Sequence, residues 1–261
     1  MMGILNITPD SFADGGRYLD PAAALRQGVD LLAAGADIVD VGGESTRPGA
    51  MPVPVDVEME RVVPVVTALA RRCPEALLSI DTAKADVAAA ALAAGASLVN
   101  DVTAGRDPAM LGLVAERGAG IVLMHMRGDP GTMQRDTAYG DVVGAVHAFL
   151  ATRAVAAIAA GIPREHVLLD PGIGFGKDLA GNLELLRALS DLGALGYPVV
   201  VGASRKSWIG ALTGAEVTER LPGSLAALTM AASLPRVIVR VHDVAATVQY
   251  LVVLAALAGA A

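Results

Sequence analysis

The chain of 261 residues suits one α/β barrel domain of about 250 residues or two smaller domains, and length alone leaves both open. With 54% hydrophobic and only 18% charged residues it must bury a large core, yet no apolar run reaches the ~20 uninterrupted residues that span a bilayer. A net charge of −7 argues against a general nucleic-acid or membrane binder and leaves room for a local cationic pocket around a small anion. The start, MMGILNIT, lacks the basic region and cleavage site of a secretory signal, and the lone Cys73 can form no internal disulfide, so a cytoplasmic location is expected.

Short β-branched runs recur along the chain: GILNIT, DIVDV, LLSID, SLVND, GIVLMH, HVLLD, PVVVG and VIVRV. Each is apolar nearly throughout, as parallel strands buried on both faces require. Ala/Leu-rich stretches between them read as helices that supply right-handed crossovers. The first opens at Asp20-Pro21, continues to Ala34 and stops at Gly35; another runs from Ala85 to Ala94 and stops at Gly95. The alternation continues from Gly3 to Leu257 with no Ser/Gly linker, low-complexity tract or charge block, so residues 1–261 are read as a single domain. The fold expected is α/β, a (β/α)8 TIM barrel, in preference to a doubly wound open sheet.

Polar residues gather at the carboxyl ends of these runs: Asn6, Asp40, Asp81, Asn100, His125, Asp170, Ser204 and Arg240. In a barrel that is the face on which loops build an active site. An open sheet would also place ligands at strand carboxyl ends, so the pattern speaks for an enzyme pocket more directly than for closure.

Taken in chain order, the first two loops, NITPDSFADGG and GGESTRPGA, combine hydroxyls, glycines and charge just after a strand. Such loops can close over an anion, although Pro, Asp, Ser and Gly are also ordinary turn residues. Asn6 can offer one neutral oxygen to a magnesium ion, which keeps several waters and takes its other ligands from phosphates; it can equally serve as a cap. Asp81, Asn100 and Asp170 place two carboxylates and an amide on one rim. That set suits a flat heterocycle with adjacent N–H donors, because a carboxylate accepts two parallel hydrogen bonds from an amino-pyrimidinone edge. The competing reading is that Asp81 starts a helix and Asp170-Pro171 a turn.

GIGFGK has the spacing of neither the Walker loop nor the dinucleotide fingerprint. Its glycines would instead let backbone and Phe175 approach a planar ring, with Phe12 a second aromatic in a motif loop, although a core-edge role is the ordinary reading of either. GASRK puts Ser204, Arg205 and Lys206 after the seventh run, and VRVHD puts Arg240 and His242 on one face of the eighth by alternation with Val239 and Val241. Loops seven and eight commonly bind phosphate in this fold. Inward cations beside apolar neighbours call for an anion, or for a structural ion pair with Asp243 or another carboxylate. His125 reads as a core-edge residue, His147 and His166 have no companion motif, and the absence of a Cys/His cluster argues against structural zinc.

Together MGILNITPDSFADGG, DVGGESTRPGA, SIDT, VNDV, LMHM with a following TMQ, LDPGIGFGK, GASRK and VRVHDV stand in the order of one family: the chain resembles the dihydropteroate synthases along almost its whole length. The resemblance implies a β/α barrel homodimer of folate synthesis that uses a dihydropterin pyrophosphate donor, a p-aminobenzoate acceptor and magnesium. It implies that Asp81, Asn100, Asp170 and Lys206 hold the pterin, with Met124, Phe175 and Gly202 lining its pocket. Asn6, Arg240 and His242 would hold pyrophosphate and magnesium, while Ser45, Thr46, Arg47 and Ser204 shape the aminobenzoate subsite. Members of the family usually carry an extra segment before strand one, and this chain begins almost on that strand, so any difference in packing is expected at the barrel bottom. Loops one and two keep the family's ordinary sequence, with none of the alterations of sulfonamide-resistant relatives.

The expected chemistry follows from these groups. An electron-rich pterin delocalises positive charge as its methylene–oxygen bond breaks; magnesium, Arg240 and His242 neutralise the leaving pyrophosphate, and Asp81 stabilises the cation. Asp81, Lys206, Arg240 and His242 are therefore the candidate catalytic residues. An aromatic amine is neutral near pH 7 and needs no strong base. Two rivals are a pterin-binding methyltransferase with a corrinoid partner, disfavoured by STRPGA and SRK, and a catalytically silent paralogue, disfavoured by intact Asn6, Asp81 and Lys206.

Overall fold

A period of two along each strand run sorts the side chains of this chain into two cores. In the computed structural model, which describes residues 1–8 and 21–259, eight parallel strands pair in chain order and close: β1 (Met2–Asn6), β2 (Ile38–Gly42), β3 (Leu77–Asp81), β4 (Leu98–Asp101), β5 (Gly120–Met124), β6 (Val167–Asp170), β7 (Val199–Val201) and β8 (Val237–Val241). β8 returns to β1 through Met2↔Arg240 and Gly3↔Val241. The barrel expected from the strand–helix alternation is the one found, and closure leaves no unpaired sheet edge.

Outward residues such as Val39, Val41, Ile80, Ile121, Leu123, Val199 and Val239 join the helices in the larger core. The inward residues at the lower end, Met2, Ile38, Leu98, Val122, Leu168 and Val200, form a separate apolar plug, with Ile238 packed against it. One or two alternations further along most strands the inward position becomes polar or small: Met2 leads to Asn6, Ile38 to Asp40 and Gly42, Leu98 to Asn100, Leu168 to Asp170, Val200 to Gly202, Ile238 to Arg240 and His242, whereas Val122 leads to the apolar Met124. The lower half of the barrel is thus packed and largely apolar, and the upper half carries the functional groups.

Helices cover the outside: α1 (Pro21–Ala33), α2 (Val55–Arg72), α3 (Ala85–Ala94), α4 (Met110–Arg117), α5 (Val142–Ala159), α6 (Leu179–Arg187), α7 (Leu189–Gly193), α8 (Ser207–Thr213), α9 (Leu221–Ala231) and α10 (Val244–Leu257). Their ends follow local chemistry. Gly95 closes α3 in the left-handed region, at φ 117°, and the Asp141 and Asp178 carboxylates accept from the N–H of Gly144 and Gly181 to cap α5 and α6. α5, with 18 residues and mean hydropathy 1.8, is long and apolar enough by composition to cross a bilayer. In the fold it lies on β5 and β6, burying Val146, Leu150, Ala154 and Ala157, and its Arg153 donates to the carbonyl of Ala104 at 2.7 Å.

Candidate active site

At the carboxyl ends of the strands lies a cleft that opens to solvent. Asp81, Asn100, Met124, Asp170, Phe175, Gly202 and Lys206, scattered over the chain, all line it. Thr46 and Arg240 reach the same space. So do Val102 and Ile173, which motif reading passed over because an aliphatic residue in a loop gives no chemical signal.

Arg240 organises the floor. Its Nε donates to Asp40 Oδ2 at 2.6 Å and its Nη2 to Asp81 Oδ2 at 2.7 Å. Asn100 Nδ2 donates to the same Asp40 oxygen at 2.9 Å, which orients the amide so that its oxygen is left to accept from a ligand. The structural ion pair that sequence left open for Arg240 therefore exists, with Asp40 and Asp81 as partners; Asp243 pairs instead with Arg205, whose Nε lies 2.8 Å from its Oδ2. Asp40, fully shielded from solvent, was noticed only as a polar strand end. Its role depends on Arg240 arriving from β8 on the far side of the sequence.

The second oxygen of Asp81 is buried without a hydrogen-bond partner. Burial is the main force raising the Asp81 carboxyl to about 7; Asp40 and Glu58 push the same way and Arg240 and Lys206 oppose them. Arg240 keeps its charge because Asp40, Asp81 and Asp170 outweigh the cost of burial. Lys206 is half-buried and opens to the cleft, and burial together with Arg240 lowers its ammonium to about 8 against the pull of Asp170 and Asp81. Its Nζ stands 3.9 Å above the Phe175 ring, a cation–π contact. The cleft thus presents acceptors on one wall and a cation with an aromatic face on another.

The loop after β6 is held by two residues that sequence did not single out for a role. Lys177 is buried and its Nζ donates to the carbonyls of Gly172 and Phe175, each at 2.8 Å, and of His125 at 3.2 Å. Burial lowers its ammonium to about 7, with Asp170 opposing the shift. Asn182 accepts from Gly174 N at 2.6 Å and donates to the carbonyls of Asp178 and Lys177. Gly172 has φ +67° and a Cβ there would lie 1.9 Å from the His125 carbonyl oxygen, so this first turn admits only glycine. Asp170 supports the same turn: its Oδ1 accepts from Gly172 N at 2.7 Å. The turn and ligand readings of Asp170 are therefore compatible, one oxygen serving each.

The remaining candidates lie around the rim. Ser204 is buried, with its hydroxyl 3.0 Å from His242 Nδ1. His242, expected to act as an inward cation, is lowered to about 4 by burial first and by Arg240 and Arg205 next, so it is neutral at pH 7. Asn6 ends β1 on the inward face; a Cβ placed on Gly42 would come 3.4 Å from its Oδ1. Ser45 and Arg47 flank Thr46 in the loop after β2, half-buried and exposed respectively. Phe12 and most of the first loop fall outside the described residues. His125, read as a core-edge residue, is buried against Phe149 in an edge-to-face contact at 5.0 Å.

The chain matches the family described as pterin binding enzyme over residues 2–242. It is 45% identical over 249 residues to the dihydropteroate synthase of Escherichia coli strain K12, covering 95% of this chain and 88% of that one. It is 47% identical over 264 residues to that of Mycobacterium leprae, covering 98% and 92%. Among solved structures, a Yersinia pestis dihydropteroate synthase with a sulfonamide drug superimposes with a TM-score of 0.93 at 43% identity, over 99% of this chain and 94% of that one. A Xanthomonas albilineans dihydropteroate synthase with 4-aminobenzoic acid gives 0.92 at 49% identity, over 98% and 92%.

Proposed function

The chain belongs to the dihydropteroate synthase family of pterin-binding enzymes, and we propose that residues 1–261 act as one domain that condenses 6-hydroxymethyl-7,8-dihydropterin pyrophosphate with p-aminobenzoate. The products are 7,8-dihydropteroate and pyrophosphate, a transferase reaction of folate synthesis. The observation that carries this reading is one cleft in which Asp81 Oδ1 is buried without a partner while Asn100, Asp170 and Lys206 face the same space.

A pterin edge offers N–H donors and a carbonyl acceptor. Asp170 Oδ2, the Asn100 oxygen and Asp81 Oδ1 would receive the donors, Lys206 would donate to the acceptor, and Met124, Phe175 and Gly202 would bound the ring faces. As the methylene–oxygen bond breaks, its electron pair leaves with pyrophosphate and positive charge spreads into the pterin. The Asp81 carboxylate favours that charge at the moment it forms. Arg240 would face the departing anion, and neutral His242, its Nδ1 paired with Ser204, would donate from Nε2–H in the tautomer in which the Ser204 hydroxyl donates to Nδ1. The acceptor nitrogen then attacks the methylene carbon and releases its proton. Thr46, with Ser45 and Arg47 beside it and Ser204 behind His242, would shape the acceptor subsite.

Magnesium belongs to the same proposal. The described residues hold no group of three or more His, Cys, Asp or Glu able to bind a metal by themselves. The one neutral oxygen of Asn6 on the inward rim nevertheless fits an ion that draws its other ligands from water and phosphate. Such an ion would neutralise charge on the pyrophosphate. Exposed Met230 on α9 and Val252, Val253 and Leu257 on α10 support a homodimer, and a single free thiol, Cys73, is in keeping with the cytoplasm. The purified protein given both substrates should form dihydropteroate, lose that activity on chelation and regain it with added magnesium. Unchanged turnover under chelation would remove the metal assignment, and no product with magnesium present would remove the function.

A further inference from the structure

Behind the cleft lies an ion cluster that contacts neither substrate in this chemistry, although one member, Glu58, is felt by Asp81. Glu58, in the first turn of α2, is fully shielded from solvent, and a carboxylate so placed requires a partner. That partner is Lys84, from the turn between β3 and α3, whose ammonium also donates to Glu44 at the start of the loop after β2. Glu44 Oε2 accepts in addition from the backbone N–H of Val53 at 3.1 Å, so one carboxylate ties the two ends of the loop together. Arg61 of α2 donates to the Gly43 carbonyl at 2.8 Å. Gly43 is packed so closely that a Cβ there would stand 2.7 Å from Val62 and 3.0 Å from Glu58.

The loop is therefore fastened at its base, whereas its tip makes a single backbone bond to another loop among the described residues, Gly49 N to the Pro130 carbonyl at 3.2 Å. Thr46, between base and tip, lines the cleft. Two carboxylates share one ammonium here. If that charge is removed they repel one another, and only Glu44, with 22% of its side chain exposed against 1% for Glu58, has a way out to water. The loop would move, and α2 would stay.

We infer that Lys84 is a positioning residue: acting through Glu44, it holds the loop of residues 43–53 against the barrel rim and so sets the acceptor-amine subsite without touching either substrate. The inference rests on the proposed assignment of that loop to p-aminobenzoate. Lys84→Met in the full chain should raise KM for p-aminobenzoate about tenfold and leave the Kd of the pterin pyrophosphate within about twofold, as expected when only one joined network is cut. Lys84→Arg, which keeps the charge, should recover most of the loss. Amide exchange over residues 43–53, Val53 above all, should quicken in Lys84→Met with or without activity. Glu44→Gln, at a partly exposed site, should show the same split if Lys84→Met fails to fold. Equal rises in both substrate constants, or unchanged exchange and acceptor KM in a folded variant, would overturn the inference. A wild-type protein that makes no dihydropteroate, yet whose exchange responds to Lys84→Met, would instead refute the functional reading.

Discussion

Asp170→Asn separates a ligand residue from a turn residue. Asp170 is 5% exposed, its Oδ1 is committed to Gly172 N at 2.7 Å, and only Oδ2 is left for the cleft. In the variant the Gly172 N–H still needs an acceptor, so the amide oxygen stays at the turn and the amide nitrogen takes the place of Oδ2. A pterin N–H then loses a charged acceptor, worth about 1.5–3 kcal/mol, and meets a donor left unpaired at about 1–3 kcal/mol. The sum, about 2.5–6 kcal/mol, weakens binding by about 10²–10⁴-fold. Folding should survive, because the turn bond persists and a buried carboxyl whose pKa is raised by that burial is replaced by a neutral group. Calorimetric titration of the pterin pyrophosphate into the folded variant measures the first effect and a melting curve the second. Affinity within about threefold of wild type, with stability down by about 1 kcal/mol or more, would mean that Asp170 serves the turn alone.

Asp81 acts as a carboxylate and Lys206 as an ammonium, so kcat/KM for the pterin substrate should rise through about pH 7 as Asp81 ionises and fall above about pH 8 as Lys206 loses its proton. Lys206→Arg, charged at every accessible pH, should remove the alkaline limb to about pH 10, and an unmoved limb would take Lys206 out of the site. The stability that Asp81 contributes has the sign of a raised carboxyl: full below its ordinary 3.8, it is lost as pH rises through about 7. Gly202→Ala should fold within about 0.5 kcal/mol of wild type, since the nearest atom to the new methyl is Asp170 Oδ2 at 4.0 Å. The methyl enters the cleft, so pterin affinity should fall by about tenfold or more; an unaffected Kd would show that the ring does not lie over β7.

How much of this was legible in the sequence depends on the range of the physics involved. Strand identity, the inward face and the gathering of polar groups at carboxyl ends come from a period of two, and helix ends come from neighbouring glycines and aspartates. These are short-range properties, written in adjacent residues. Motif order along the chain was enough to indicate the family. Arg240 meets Asp40 across 200 positions and Asp81 across 159, and only closure of β8 onto β1 decides that meeting. The neutrality of His242, the loop-stapling role of Lys177 and the Glu58–Lys84–Glu44 cluster share that origin. A side chain's charge state and partners depend on how far neighbours from distant segments exclude water and which dipoles they supply, and no local pattern records that.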